Sequence, residues 1–192
     1  FYLAHALQQA GYHREAAASF ESVLSMLAEP VASYRYDHDL VFLMHEDWAL
    51  HLAAAENDYV THEWSAALGH YLQAANDRPA DTYIHSRIVA CHILLKDKQP
   101  GLIRALELVE KAQGSEQSLA LLNWAYRAAG RQSQMVKDLQ KFVASHTAGA
   151  GPVMALANVQ ERSGKPDDAI RTLRNYLAAD PSQSAVLRPL LR

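Results

Sequence analysis

The sequence predicts an all-α chain, an α-solenoid of about five helix-turn-helix repeats closed by a C-terminal capping helix. Three observations carry that prediction. Apolar residues recur at three- and four-residue spacing along the chain, and no segment shows a convincing period of two. Glycines, prolines and polar pairs punctuate these runs at short intervals. Near the C-terminus Leu156 and Ala157, then Gly164, Asp168, Ala169, Leu173, Tyr176 and Pro181 spell helix, tight turn, helix, stop, and weaker copies of that pattern recur upstream.

The elements follow in order. Leu3, Ala4 and Leu7 share one helical face, and Gly11 ends that helix by taking the left-handed conformation cheaply. Glu15, Ala16, Phe20, Val23, Leu24 and Leu27 form a second amphipathic helix, stopped by Pro30 and the polar run 33–39. Asp39 suits the cap of a strongly apolar helix over 40–56 that carries Phe42, Leu43, Trp48 and Leu52. Asn57 and Asp58 mark a turn, and a helix over 63–75 follows with Trp64, Ala67, Leu68 and Tyr71 inward. Asp81 or Thr82 caps a helix running to about residue 95. A turn is expected at 96–101, then a helix over 102–112 ended by Gly114. Ser115 caps the next helix through its hydroxyl, and Glu116 suits the positive end of the dipole. Gly130 ends it, 133–145 is helical, and 147–152 is a small-residue link whose Pro152 fits a first turn. Helices over 153–163 and 166–179 complete the last pair, and 182–191 is the expected cap.

The small residue early in each second helix gives the phase: Ala16, Ala67, Ala105, then Met135 in its place, then Ala169, at intervals of 51, 38, 30 and 34 residues. A small residue lets two helix backbones approach while large neighbours fill the adjacent holes. In these residues the chain resembles the tetratricopeptide repeat family. Leu156, Ala157, Gly164, Ala169, Leu173 and Pro181 all sit at the family's positions, as do Leu3, Ala4, Leu7, Gly11, Ala16 and Phe20 in the first repeat. The fourth repeat keeps Leu122, Tyr126, Gly130, Leu139 and Phe142; the third keeps Ala90, Ala105 and Val109 but has an awkward turn around Pro100. The second is weakest, with Ala67, Tyr71, Ala74 and Pro79 in its second helix, and the likeness is loose between residues 30 and 66. The resemblance implies a single right-handed solenoid with repeats at 1–30, 38–79, 81–114, 116–147 and 150–181.

Composition bounds the function classes. Hydrophobic residues make up 49% of 192, enough for a sizeable core, while 8 Gly and 7 Pro are too few for a low-complexity chain. The net charge of −3 is spread without a basic stripe, so no nucleic-acid partner is expected. No apolar run reaches the length of a membrane span. Phe1 is not an initiator methionine and no signal peptide follows it, so the chain is expected to be a piece of a longer protein, with neither cytoplasm nor periplasm favoured. Nothing in the given sequence precedes Phe1 to cap the first repeat, so the expectation is either that the native chain extends upstream or that this end packs on another molecule, including by self-association.

No catalytic, metal or cofactor site is expected. Of ten histidines, His45 and His51 stand at i and i+6 rather than the i and i+4 that put two imidazoles on one metal. His38/His45 and His85/His92 are seven apart, about 10 Å of helical rise, too far for one zinc. Cys91 reads as a small buried hydrophobe. Gly149-Ala150-Gly151-Pro152 lacks the lysine and spacing of a phosphate loop, and no Gly-x-Ser-x-Gly elbow occurs.

In tetratricopeptide proteins the first helix of each repeat lines a concave groove. That implies partner contacts at His5, Arg87, Trp124, Arg127, Asn158 and Glu161, with Phe1, Cys91, Ala120 and Met154 at neighbouring groove positions. An extended peptide would pair its carboxylates with Arg87 or Arg127 and lay an apolar side chain on Trp124, arginine and tryptophan being common hot-spot types. Some members clamp a partner's C-terminal carboxylate with lysines and asparagines; only Asn158 matches here, so that role is not expected. The resulting expectation is a non-enzymatic scaffold that binds a protein or peptide. The alternative is a regulatory or substrate-presenting segment of a larger enzyme or bacterial envelope-assembly machine for polysaccharide or lipopolysaccharide.

Overall fold

The computed structural model describes residues 1–28, 47–145 and 149–179. These residues form ten α-helices and one 3-10 turn, with no strand among them, so the chain is all-α as its periodicity predicts. The expected capping helix at 182–191, the cap at Asp39 and the start of the 40–56 helix lie outside the described residues. The helices group into two compact units that divide between Leu95 and Lys96.

The first unit comprises α1 (Tyr2–Gln9), α2 (His13–Ala28), α3 (Asp47–Val60), α4 (Trp64–Asp77) and α5 (Thr82–Leu94). Helix α3 is its axis, because it is apolar on more than one side. Leu50 and Ala54 join Ala4 of α1 and Ala16, Phe20 and Val23 of α2 in one cluster. Ala55 joins Ala67, Tyr71 and Ala74 of α4 and Ile84, Ile88 and Cys91 of α5 in a second. Six alanines in these two clusters are fully buried, which is how the backbones come close enough for Phe20 and Tyr71 to fill the spaces between. Asp81 caps α5: its Oδ1 accepts the N–H groups of Tyr83 at 2.9 Å and Ile84 at 3.3 Å.

The turn expected at Asn57 and Asp58 is not there. Both lie inside the last turn of α3 and are buried. Asn57 stays helical because its amide donates to the Ala53 carbonyl at 2.7 Å, while His13 Nδ1 lies 2.8 Å from its Oδ1. A residue read as a turn former from composition alone is thereby satisfied within the helix. The chain reverses at 61–63 instead, with His62 in the left-handed region at φ 67° where the first, fourth and fifth repeats use Gly11, Gly130 and Gly164.

The second unit comprises α6 (Lys98–Lys111), α7 (Glu116–Ala128), a 3-10 turn (Gln132–Gln134), α8 (Met135–Ser145), α9 (Ala150–Arg162) and α10 (Pro166–Ala179). The turn expected over 96–101 is shorter than the sequence suggests. Pro100 is the third residue of α6, where its missing N–H has no intrahelical acceptor to lose. Ser115 caps α7 as expected, accepting the Ser118 N–H at 3.3 Å. Lys98 Nζ donates to the carbonyl of Ala129 at 2.9 Å, satisfying the other end of α7. The start of α9 meets the turn between α6 and α7 at backbone distance: a Cβ placed on Gly151 would stand 2.7 Å from the Gln113 backbone, and one on Gly114 2.5 Å from the Gly151 carbonyl oxygen. Val153, Ala157, Ala169 and Leu173 form the core between α9 and α10, tied by a hydrogen bond from Thr172 Oγ1 to the buried Gln160 Oε1 at 2.9 Å. No helix among the described residues is long and apolar enough to cross a membrane.

Candidate partner-binding cleft

Helices α7 and α9 border a cleft in the second unit. One end is a pocket of about 290 Å³ lined by Leu119, Met154, Ala157, Ala169, Ile170 and Leu173, with Asn158 and Glu161 at its edge. Its floor is apolar because α9 and α10 turn their packed faces toward it: Ala157, Ala169 and Leu173 are almost wholly buried, whereas Ile170 is 38% exposed. The other end is a space of about 540 Å³ with a polar lining that includes Glu116, Asn123, Gln132 and Arg162. The two share Gly114, Leu119 and Asn158, so they are continuous. Asn123 Oδ1 is buried and accepts no hydrogen bond among the described residues. Leaving a buried amide oxygen without a donor costs about 1–3 kcal/mol, and a donor supplied by a bound molecule would recover it.

The structure distributes the sequence-expected residues unequally. Asn158 and Glu161 line the cleft. Trp124, 39% exposed, and Arg127 are on the surface of α7, one and two turns beyond the cleft-lining Ala120. His5 and Arg87 belong to the first unit. His5 stacks edge-on against Phe1 and Phe20, at centroid distances of 4.6 and 5.2 Å. Arg87 already has a carboxylate: its Nη2 donates to Glu56 Oε2 at 3.1 Å and its Nε to Oε1 at 3.2 Å, with the guanidinium 4.5 Å from the Tyr59 ring centroid. Tyr71 and Tyr83 donate to the same Glu56 Oε1 at 2.6 and 2.8 Å. Burial, and then the bond to Glu56, pushes the Tyr71 phenol far up, so it remains a donor. Cys91 is wholly buried and burial pushes its thiol up to about 12, which removes it from the exposed groove positions.

Sequence reasoning passed over Leu119, Ile170 and Asn123. Ala169 and Leu173 were assigned to packing within the repeat, and the same packing makes them the floor of the pocket. The one signal available was Ile170, an apolar residue off the buried stripe of α10.

A family model for the tetratricopeptide repeat matches residues 154–185, which take in most of α9 and all of α10. No curated protein sequence matches the chain. Among solved structures, a chain titled MamA MSR-1 C2 is 14% identical, with 94% of each chain covered and a TM-score of 0.46. Residues 154–185 are thus similar to one tetratricopeptide repeat, within a chain that is all-α over its described residues.

Proposed function

We propose that the chain is a non-enzymatic scaffold whose second unit binds an extended segment of a partner protein along the α7–α9 cleft. The observation that carries this reading is the pairing of an open apolar pocket with an adjoining polar trough in which Asn123 Oδ1 lacks a donor. An apolar side chain of the partner fills the space over Ala157 and Ile170. A backbone N–H of the partner reaches Asn123, and Asn158 and Glu161 hold its polar groups at the rim. Trp124 and Arg127 extend the contact along α7. Pockets of this size and lining suit one large side chain with a few orienting polar groups. The reading does not need His5 or Arg87, which the first unit uses internally.

Selection of random peptides on the full 192-residue chain tests it. The expected winners share one apolar anchor and lose at least about tenfold in affinity on Ile170→Asp, an amount near 1.4 kcal/mol. Enrichment without a common anchor, or affinity untouched by Ile170→Asp and Asn123→Ala, would overturn it.

A further inference from the structure

The last turn of α3 buries an acid with one oxygen that no hydrogen bond satisfies among the described residues. Asp58 is 5% exposed, and its Oδ2 accepts no hydrogen bond among the described residues. That oxygen faces His70 Nε2 on α4 at 3.9 Å, too long for a hydrogen bond. Glu21 of α2 reaches the same place, with Oε1 3.6 Å from His70 Nε2. The three ligand atoms lie within 4.8 Å of one another. Two carboxylate oxygens and an imidazole nitrogen thus converge on one point from three helices, and none of the three contacts is a hydrogen bond.

We infer that Glu21, Asp58 and His70 form a binding site for a divalent transition-metal ion of the zinc type. Tetrahedral zinc with bonds of about 2.1 Å sets its ligand atoms about 3.4 Å apart. The half-exposed Glu21 side chain can close its own separations by rotation, and the 3.9 Å between Asp58 and His70 leaves about 0.5 Å (3.9 − 3.4) for those two side chains to take up on binding. The imidazole selects against calcium and magnesium, which prefer all-oxygen shells. The other ring nitrogen of His70 also has a partner: its Nδ1 is 3.0 Å from His51 Nδ1, an imidazole in place of the carboxylate, carbonyl or water that usually orients a metal-bound histidine. With the hydrogen on His70 Nδ1, donated to His51, the lone pair of Nε2 points at the two carboxylates. Three protein ligands leave a fourth position for water. The ion would fasten α2 to the α3–α4 pair. This site is independent of the cleft.

The test uses the full chain without a histidine tag, freed of metal by chelation and given Zn²⁺ alone. Equilibrium dialysis is expected to find one tightly held equivalent, and the thermal midpoint is expected to rise with zinc by linkage. Glu21→Gln, Asp58→Asn and His70→Gln should each weaken that equivalent by about tenfold or more, whereas His92→Gln should not. In the unsubstituted chain, zinc should shift the His70 Nε2 resonance. If Asp58→Asn does not fold by circular dichroism, Glu21→Gln decides, since its side chain is 53% exposed. No tight equivalent, or one that survives Glu21→Gln with the His70 resonance unmoved, overturns the inference.

Discussion

The two units use the same helical-pair packing and differ in where they keep their polar groups. In the first, polar and charged side chains enter the interior: Asn57 and Asp58 in the last turn of α3, and Glu56 joined to Tyr71, Tyr83 and Arg87. In the second, the buried polar side chains among the described residues are the uncharged Ser118 and Gln160, and α7 and α9 border an open cleft whose floor is apolar. A repeat scaffold specifies the backbone through small residues and turns, and leaves the chemistry between helices to be set case by case. The first unit uses that freedom to lock its helices together. The second leaves an open apolar surface.

The contrast can be broken at several points, taken here from the largest effect downward. Gly151→Val should be the most damaging, because its side chain has to enter space held by the Gln113 and Gly114 backbone. Overpacking against backbone is expected to cost about 3 kcal/mol, read as a lower urea midpoint. Glu56→Ala should destabilise the chain by about 2 kcal/mol, since it leaves the buried Tyr71 hydroxyl without an acceptor and Arg87 without its carboxylate. Tyr83→Phe, at the exposed edge of the same network, should cost less, about 0.5–1 kcal/mol. Ile170→Asp should change stability by no more than about 0.5 kcal/mol, as a surface substitution, while removing peptide binding; a large loss of stability would mean that the pocket floor is core and not a site.

Cys91 gives a chemical check on the first unit. With the thiol pushed up to about 12, only about one thiol in ten thousand is ionised at pH 8, and the thiolate is the reactive form. Thiol-specific reagents should therefore label the native chain far more slowly than the urea-unfolded chain. Reaction at equal rates would show that α5 opens freely.

The helices were legible in the sequence because period, caps and turn glycines agree with one another, as at Ala16, Asp81, Ser115 and Gly164. Two boundaries were misread for local reasons. Asn57 and Asp58 look like a turn until the bonds to Ala53 and His13 are seen, and Pro100 looks like a break until it is placed in a first turn. The cleft was half legible: register places Asn158 and Glu161, but not the floor, whose residues do double duty as repeat packing. The Glu21, Asp58 and His70 cluster was not legible, because its members come from three helices and leave no local spacing to recognise. The Glu56 partner of Arg87 was not legible for the same reason: it lies 31 residues away.

The most direct test of the account is a backbone amide NMR titration of the full chain with a selected peptide. The account predicts shift changes concentrated at Leu119, Asn123, Met154, Asn158, Glu161 and Ile170, with the indole of Trp124 moving alongside. Changes centred on the first unit around His5 and Arg87, with the cleft residues still, would contradict it.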